Sequence, residues 1–101
     1  MQDLKWAKNN KVMTVTINGA FNAHLVQAFR KVFLEIEGQD TTIVIDLADA
    51  EYIDSAALGL MIHMKKKFKD SNLNIIKIIN SNDRILKVFQ IMCFHDMFEI
   101  G

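Results

Sequence analysis

The sequence of 101 residues has no proline, only four glycines and a single cysteine. Without proline, one common marker of helix and strand ends is missing, so the predicted elements are defined only to within a few residues. The lone Cys93 excludes an internal disulfide. Its apolar neighbours Ile91, Met92 and Phe94 predict a buried thiol in a protein of a reducing compartment.

An excess of charge of either sign is also lacking, because 12 Lys and Arg balance 12 Asp and Glu. The chain therefore has no global field for holding nucleic acid or an anionic membrane, and it must recognise partners by local shape and charge. Residues 1–10 alternate polar and apolar side chains, which predicts neither a signal peptide nor a membrane span. We expect a cytoplasmic protein.

Half of the residues are hydrophobic, which is enough for the core of one domain over residues 1–101. Residues 6–17 predict two strands joined by an Asn-rich turn, the first strand short and at an edge. From Asn22 the spacing of apolar residues changes to three and four, which predicts a helix that Gly38 ends. The apolar residues of this helix are Leu25, Val26, Phe29, Val32, Phe33 and Ile36.

The β-branched run over residues 42–47 predicts a central strand buried on both faces, followed by a connector over residues 48–53. A second helix is predicted from Ser55 to about Lys69. Its core-facing residues are Ala57, Met61, Met64 and Phe68. The lysines of its last turns, from Lys65 onward, suit the negative end of the helix dipole and predict a solvated helix end or a contact for an acidic partner.

Residues 70–72 end this pattern, and residues 74–79 predict another buried strand. Ser81 or Asn82 can cap a third helix, and residues 97–100 predict a short last strand. The apolar positions of the third helix are Ile85, Leu86, Val88, Phe89 and Met92. This order predicts an α/β fold with a mixed sheet of four to five strands and three to four helices packed on it.

Asp54 and Ser55 stand where the connector leads into the second helix, and we expect both to be exposed. The first N–H groups of a helix have no partner within it and form a positive end. Asp and Ser are both favoured helix caps, so the pair has a purely structural interpretation. It also has a functional one, because a phosphate on Ser55 would lie at a helix end that favours anions.

The segment IVIDLADAEYIDSAALG, residues 43–59, resembles the STAS family and is similar to bacterial anti-sigma factor antagonists. The matching pairs are Asp46-Leu47, Tyr52-Ile53, Asp54-Ser55 and Leu58-Gly59. Residues 17–19, before the first helix, and residues 92–98, near the end, also follow the family. The resemblance covers nearly the whole chain and implies a single STAS domain.

The resemblance implies a regulatory module of a partner-switching system, without enzymatic activity or a cofactor of its own. Its partners would be an anti-sigma-type serine kinase, which phosphorylates Ser55 and is thereby released, and a PP2C-type phosphatase, which restores binding. The expected partner-binding residues are Asn22, Asp54, Ala56, Leu58, Gly59 and Ile62. Leu58 and Ile62 stand off the core stripe of the second helix and would form an apolar strip with Ser55; the alternative is that the sheet or the first helix covers them.

The sequence departs from the family pattern at two places. Ala56 and Ala57 stand where the antagonists usually have a second hydroxyl residue and a glycine, so Ser55 is the acceptor that remains. Asn22 stands where the family commonly has an Asp, and it keeps the hydrogen-bonding ability without the charge. If that charge matters for phosphorylation, the switch is altered or absent.

Two other classes of function stay open. One is a constitutive STAS subunit of a larger complex, for example in lipid transport, without a phosphate switch. The other is an enzyme or small-ligand binder, but there is no G-x-S-x-G elbow and no glycine-rich phosphate loop. His24, His63 and His95 lie far apart in the sequence, with no spacing typical of metal ligands, so no metal site is expected.

Overall fold

The computed structural model describes residues 4–36, 41–67 and 75–101. It contains a five-stranded sheet in the order β1-β2-β3-β4-β5, with three α-helices and one short 3-10 helix. The α/β class and the mixed sheet are thus confirmed. The elements are β1 Leu4–Asn9, β2 Val12–Phe21, α1 Ala23–Ile36, β3 Thr42–Ile53, α2 Ser55–Lys67, β4 Ile75–Ile79, α3 Asp83–Ile91, a 3-10 helix Phe94–Asp96, and β5 Glu99–Ile100.

The sheet begins with an antiparallel hairpin and continues as parallel strands. β1 pairs with β2 through a turn in which Asn10 has a φ of 56°, and β1 is the edge strand, as predicted. β2, β3, β4 and β5 are parallel neighbours. Parallel strands end at the same edge of a sheet, so α1 and α2 both begin at the carboxyl edge of β2 and β3.

The central strand β3 is buried on one face only, which corrects the prediction of two buried faces. Ile43, Ile45 and Leu47 are at most 1% exposed, whereas the alternate residues Thr42 and Val44 are half-buried. β2 alternates in the same way. The core lies on the buried face, and four phenylalanines within it are fully buried: Phe21, Phe29, Phe89 and Phe94.

The predicted connector over residues 48–53 is wrong, because β3 continues to Ile53 and pairs with β2 to the end of both strands. The sequence signal is weak here because the register shifts between Thr16 and Asn18 and again between Gly19 and Ala20. Irregular pairing of this kind breaks the alternation by which strands are recognised in a sequence. Gly19 has a φ of 80° at this point, which suits glycine.

The chain leaves α3 in a way that corrects two predictions. Cys93 is exposed, not buried, and Met92 is 41% exposed instead of packed in the core. α3 ends at Ile91, and Cys93 adopts a left-handed conformation with a φ of 57°. This turn brings Phe94 into the core, where its ring stacks on that of Phe89 at a centroid distance of 5.2 Å.

The remaining predictions for the helices are mostly confirmed. Ala57, Met61 and Met64 of α2 are buried, and Leu60, absent from the predicted set, is buried with them. In α3, Ile85 and Phe89 are buried, and the other predicted core residues are at most half-buried. Gly38, Phe68, Lys69 and residues 70–72 lie outside the described residues. None of the three described α-helices is both long and apolar enough to span a bilayer.

Asn82 is the cap of α3, which resolves the choice between Ser81 and Asn82. Its side-chain oxygen accepts from the Ile85 N–H at 2.8 Å. Its amide nitrogen donates to the carbonyl oxygens of Ala50 and Glu51 at 3.1 and 3.2 Å. One side chain therefore begins α3 and fastens it to the last part of β3.

We expect Asn82→Ala to lower the free energy of unfolding by about 1–2 kcal/mol, because the cap and both bonds to β3 are lost. In thermal unfolding this corresponds to a fall in Tm of roughly 5–10 °C for a domain of this size. Gln90→Ala, at an exposed position of the same helix, is the control and should change stability by less than about 0.5 kcal/mol. Equal stability of the two variants would contradict the role given to Asn82.

Candidate functional site

Two helix N-termini lie side by side at the carboxyl edge of the sheet. Phe21, the last residue of β2, and Ile53, the last of β3, are register partners. Each strand is followed by a single residue and then a helix. The backbone N–H of Asp54 donates to the Phe21 carbonyl at 3.0 Å, which carries the strand pairing up to the first residue of the site.

Asp54 is the N-cap of α2. Its Oδ1 accepts from the Ala57 N–H at 2.9 Å, and its carbonyl accepts from the Leu58 N–H at 3.0 Å. Its Oδ2 accepts from the Ala23 N–H, the first of α1, at 3.3 Å. One carboxylate thus bridges the positive ends of two helices, where negative charge is stabilising. Asp54 is half-buried, so the prediction that it is exposed holds only in part.

Asn22 caps α1 next to it. Its Oδ1 accepts from the His24 N–H at 3.0 Å, and its carbonyl accepts from the Leu25 N–H at 3.0 Å. Asn22 therefore keeps the capping role of this position, although it differs from the Asp expected by resemblance. What it removes is a second negative charge beside Asp54.

Ser55 is the first residue of α2, and its side chain is exposed. Within the part of the chain that the structure describes, its hydroxyl has no hydrogen-bond partner. Of the Asp-Ser pair, Asp54 alone therefore acts as the helix cap. The Ser55 hydroxyl lies at a positive helix end, open to solvent, where an added phosphate would meet partial positive charge.

The outer face of α2 leads away from Ser55. Leu58, Gly59 and Ile62 follow it at three-, four- and seven-residue spacing, which places all four on one side of a helix. Gly59 is exposed, whereas Leu58 and Ile62 are half-buried and pack in part against the core. Ala56 is exposed beside this strip. The predicted residues thus come together on one surface, with the two apolar side chains presenting only part of their area.

Exposed acidic side chains stand on the last part of β3 and at the start of α3. Asp49 and Glu51 lie on the extension of β3, and Asp83 begins α3. Among the described residues, no group of His, Cys, Asp and Glu side chains is arranged to hold a metal ion. The sequence singled out Tyr52 only as part of the family motif. In the structure its side chain is 42% exposed on this same extension of β3.

Because Asp54 and not Ser55 makes the capping bonds, we expect the two alanine variants to differ. Asp54→Ala should lower the free energy of unfolding by about 1–2 kcal/mol, whereas Ser55→Ala should change it by less than about 0.5 kcal/mol. Asp49→Ala removes an exposed carboxylate from the same region and is the control for charge. Denaturant unfolding measures all three, and a Ser55→Ala loss as large as that of Asp54→Ala would show that the cap is misassigned.

The chain is similar to proteins of known family. The family model described as STAS domain matches residues 4–101. A STAS-domain containing protein of Pseudomonas aeruginosa is 28% identical over 89 residues, which are 88% of this chain and 87% of that protein. The anti-sigma-B factor antagonist of Bacillus subtilis is 25% identical over 94 residues, which are 93% of this chain and 85% of that protein.

Solved structures show the same fold. The anti-sigma factor antagonist SpoIIAA in its unphosphorylated form superposes with a TM-score of 0.78 at 19% identity, covering 97% of this chain and 86% of that chain. The phosphorylated form of this Bacillus cell fate determinant gives a TM-score of 0.76 at 19% identity, covering 97% and 90%. The family match spans all the described elements, from β1 to β5. The chain therefore belongs to the STAS domain family.

Proposed function

We propose that this chain is a regulatory binding module controlled by reversible phosphorylation of Ser55. Without phosphate it binds an anti-sigma-type serine kinase through the surface of Asn22, Ser55 and the outer face of α2. The kinase transfers the terminal phosphoryl group of its own nucleoside triphosphate to the Ser55 hydroxyl, which loses its proton, and the nucleoside diphosphate is the leaving group. The kinase is then released, and a PP2C-type phosphatase hydrolyses the phosphate ester. The chain acts in the cytoplasm, without enzymatic activity or cofactor of its own.

The observation that supports this most is the division of roles between Asp54 and Ser55. Asp54 makes the capping bonds to Ala57 and Ala23, so the Ser55 hydroxyl is exposed and has no structural duty in the described part of the chain. A phosphoacceptor must be accessible to a kinase, and its modification must leave the fold intact. Ser55 meets both conditions.

The physical effect of a phosphate at Ser55 is largest in a packed interface. Phosphorylation adds about −1.5 to −2 charges, next to the carboxylate of Asp54. In the free chain this charge is solvated and lies at the start of α2. In a complex it would be desolvated against the partner and repelled by Asp54. Moving a complex from mostly bound to mostly free needs about 5.5 kcal/mol, and a buried, unmatched phosphate is a plausible source of much of it.

The partner-contact surface combines apolar and polar parts. Leu58 and Ile62 expose part of their side chains, and Gly59 between them leaves room for a partner to approach α2 closely. Ala56 is exposed beside this strip. Two of the similar proteins support the assignment. One curated relative is an anti-sigma-B factor antagonist, and SpoIIAA is known in a phosphorylated and an unphosphorylated form.

A capture experiment tests the switch. The wild-type chain, Ser55→Ala and Ser55→Asp are immobilised and exposed to extract of the native cells, and bound proteins are quantified by mass spectrometry. We expect wild type and Ser55→Ala to retain a serine kinase and Ser55→Asp to retain at least about tenfold less, which is about 1.4 kcal/mol. Gln90→Glu adds one negative charge on exposed α3 and should behave as wild type.

Whether Ser55 carries a phosphate in cells is measured separately. Intact-mass spectrometry of the chain from its native cells, before and after phosphatase treatment, should show a removable phosphate that fragmentation assigns to Ser55. Absence of the phosphate under several growth conditions, together with unchanged capture by Ser55→Asp, would overturn the switch. The chain would then be a constitutive STAS subunit of a larger complex.

A further inference from the structure

A cleft between α1 and α2 lies away from the Ser55 surface. Its floor consists of the buried side chains of Phe33, Leu60 and Met64, and its volume is about 200 Å³. The exposed side chains of Arg30, His63, Lys67 and Leu34 form its rim. Among the described residues that line it, none is acidic. The cleft is thus apolar at the bottom and basic at the top.

The size of the cleft favours a single bulky side chain as its occupant. The cleft has a volume of about 200 Å³. Pockets for drug-sized ligands usually measure about 300–1,000 Å³. The basic rim requires carboxylates or a hydroxyl near that side chain, because cations at an interface favour partners of opposite charge.

The same chain exposes such a segment at its other end. Tyr52 is a large side chain that is 42% exposed, and Asp49 and Glu51 beside it on β3 are exposed carboxylates. Trp6, which is 45% exposed, differs because it stands between Lys5 and Lys8. Tyrosine is also a side chain that interfaces prefer, since its ring fills a pocket and its hydroxyl finds a partner.

We propose that the Tyr52 segment of one copy docks into the α1–α2 cleft of a second copy. The ring of Tyr52 would fill the cleft, and Asp49 and Glu51 would lie near Arg30. The charges of the two ends are opposite, and the formal net charge of the chain is zero, so whole molecules do not repel one another.

The contact must be head to tail. Tyr52 lies near the start of α2, whereas Lys67 is its last residue, about 18 Å further along the helix axis. One molecule therefore cannot fill its own cleft, and two copies joined in this way leave one cleft and one Tyr52 segment unused. Such heterologous contacts continue into chains or close into rings. A contact made by one ring, that of Tyr52, and a few charges such as that of Arg30 is expected to be weak, with a Kd on the order of 0.1 mM.

Sedimentation equilibrium of the purified chain tests this proposal without any kinase. From about 10 μM to about 1 mM the mass should rise above the 11.6 kDa of one chain at low salt, and about 0.5 M NaCl should lower it. We expect Tyr52→Ser and Arg30→Glu each to weaken association at least about tenfold. The matched controls Trp6→Ser and Arg84→Glu should associate as wild type.

Mixing the two defective variants is the decisive step. Tyr52→Ser keeps an intact cleft, and Arg30→Glu keeps an intact Tyr52 segment, so an equimolar mixture should form dimers and nothing larger. If the wild-type chain has a monomeric mass at all concentrations, the cleft has a different occupant and the proposal is overturned. Association that survives in each variant alone, or that the mixture fails to restore, would also overturn it. None of these outcomes bears on the proposed Ser55 switch, which is tested by partner capture and by mass spectrometry.

Discussion

The parallel pairing of β2 with β3 determines where α1 and α2 begin and therefore the geometry of the candidate site. Because the two strands remain paired as far as Phe21 and Ile53, the helices after them begin side by side. The carboxylate of Asp54 then accepts N–H groups from both helices and neutralises two positive ends at once. If β3 ended at Leu47, as its apolar run suggests, neither the shared carboxylate nor the exposed serine beside it would have this position.

This arrangement separates the capping residue from the proposed phosphorylation site, although the two are adjacent in the sequence. Asp54 makes the hydrogen bonds that begin α2, and Ser55 presents a hydroxyl that the fold does not use. The proposed modification of Ser55 would therefore leave the capping bonds of α2 in place. Asn22 caps α1 as Asp54 caps α2, so Asn at this position keeps a capping bond while it lowers the negative charge around the proposed phosphoacceptor Ser55.

Although the formal net charge is zero, some acidic and basic residues lie in different parts of the molecule. Asp49, Glu51 and Asp83 lie at the end of the molecule where α2 begins, and Arg30 and Lys67 lie toward its other end. The lysines at the end of α2 suit the helix dipole there.

The sequence by itself determined the order of the elements, the parallel sheet and the α2 N-terminus, because apolar periodicity and cap residues act over a few neighbouring positions. It also indicated the Asp54-Ser55 pair and the strip of Leu58, Gly59 and Ile62. Only the tertiary structure decided that the carboxylate of Asp54 also holds the first N–H of α1, since Ala23 lies 31 residues away in the sequence. The exposure of Cys93 and the extension of β3 likewise follow from a left-handed turn and from strand pairing, which local patterns do not encode.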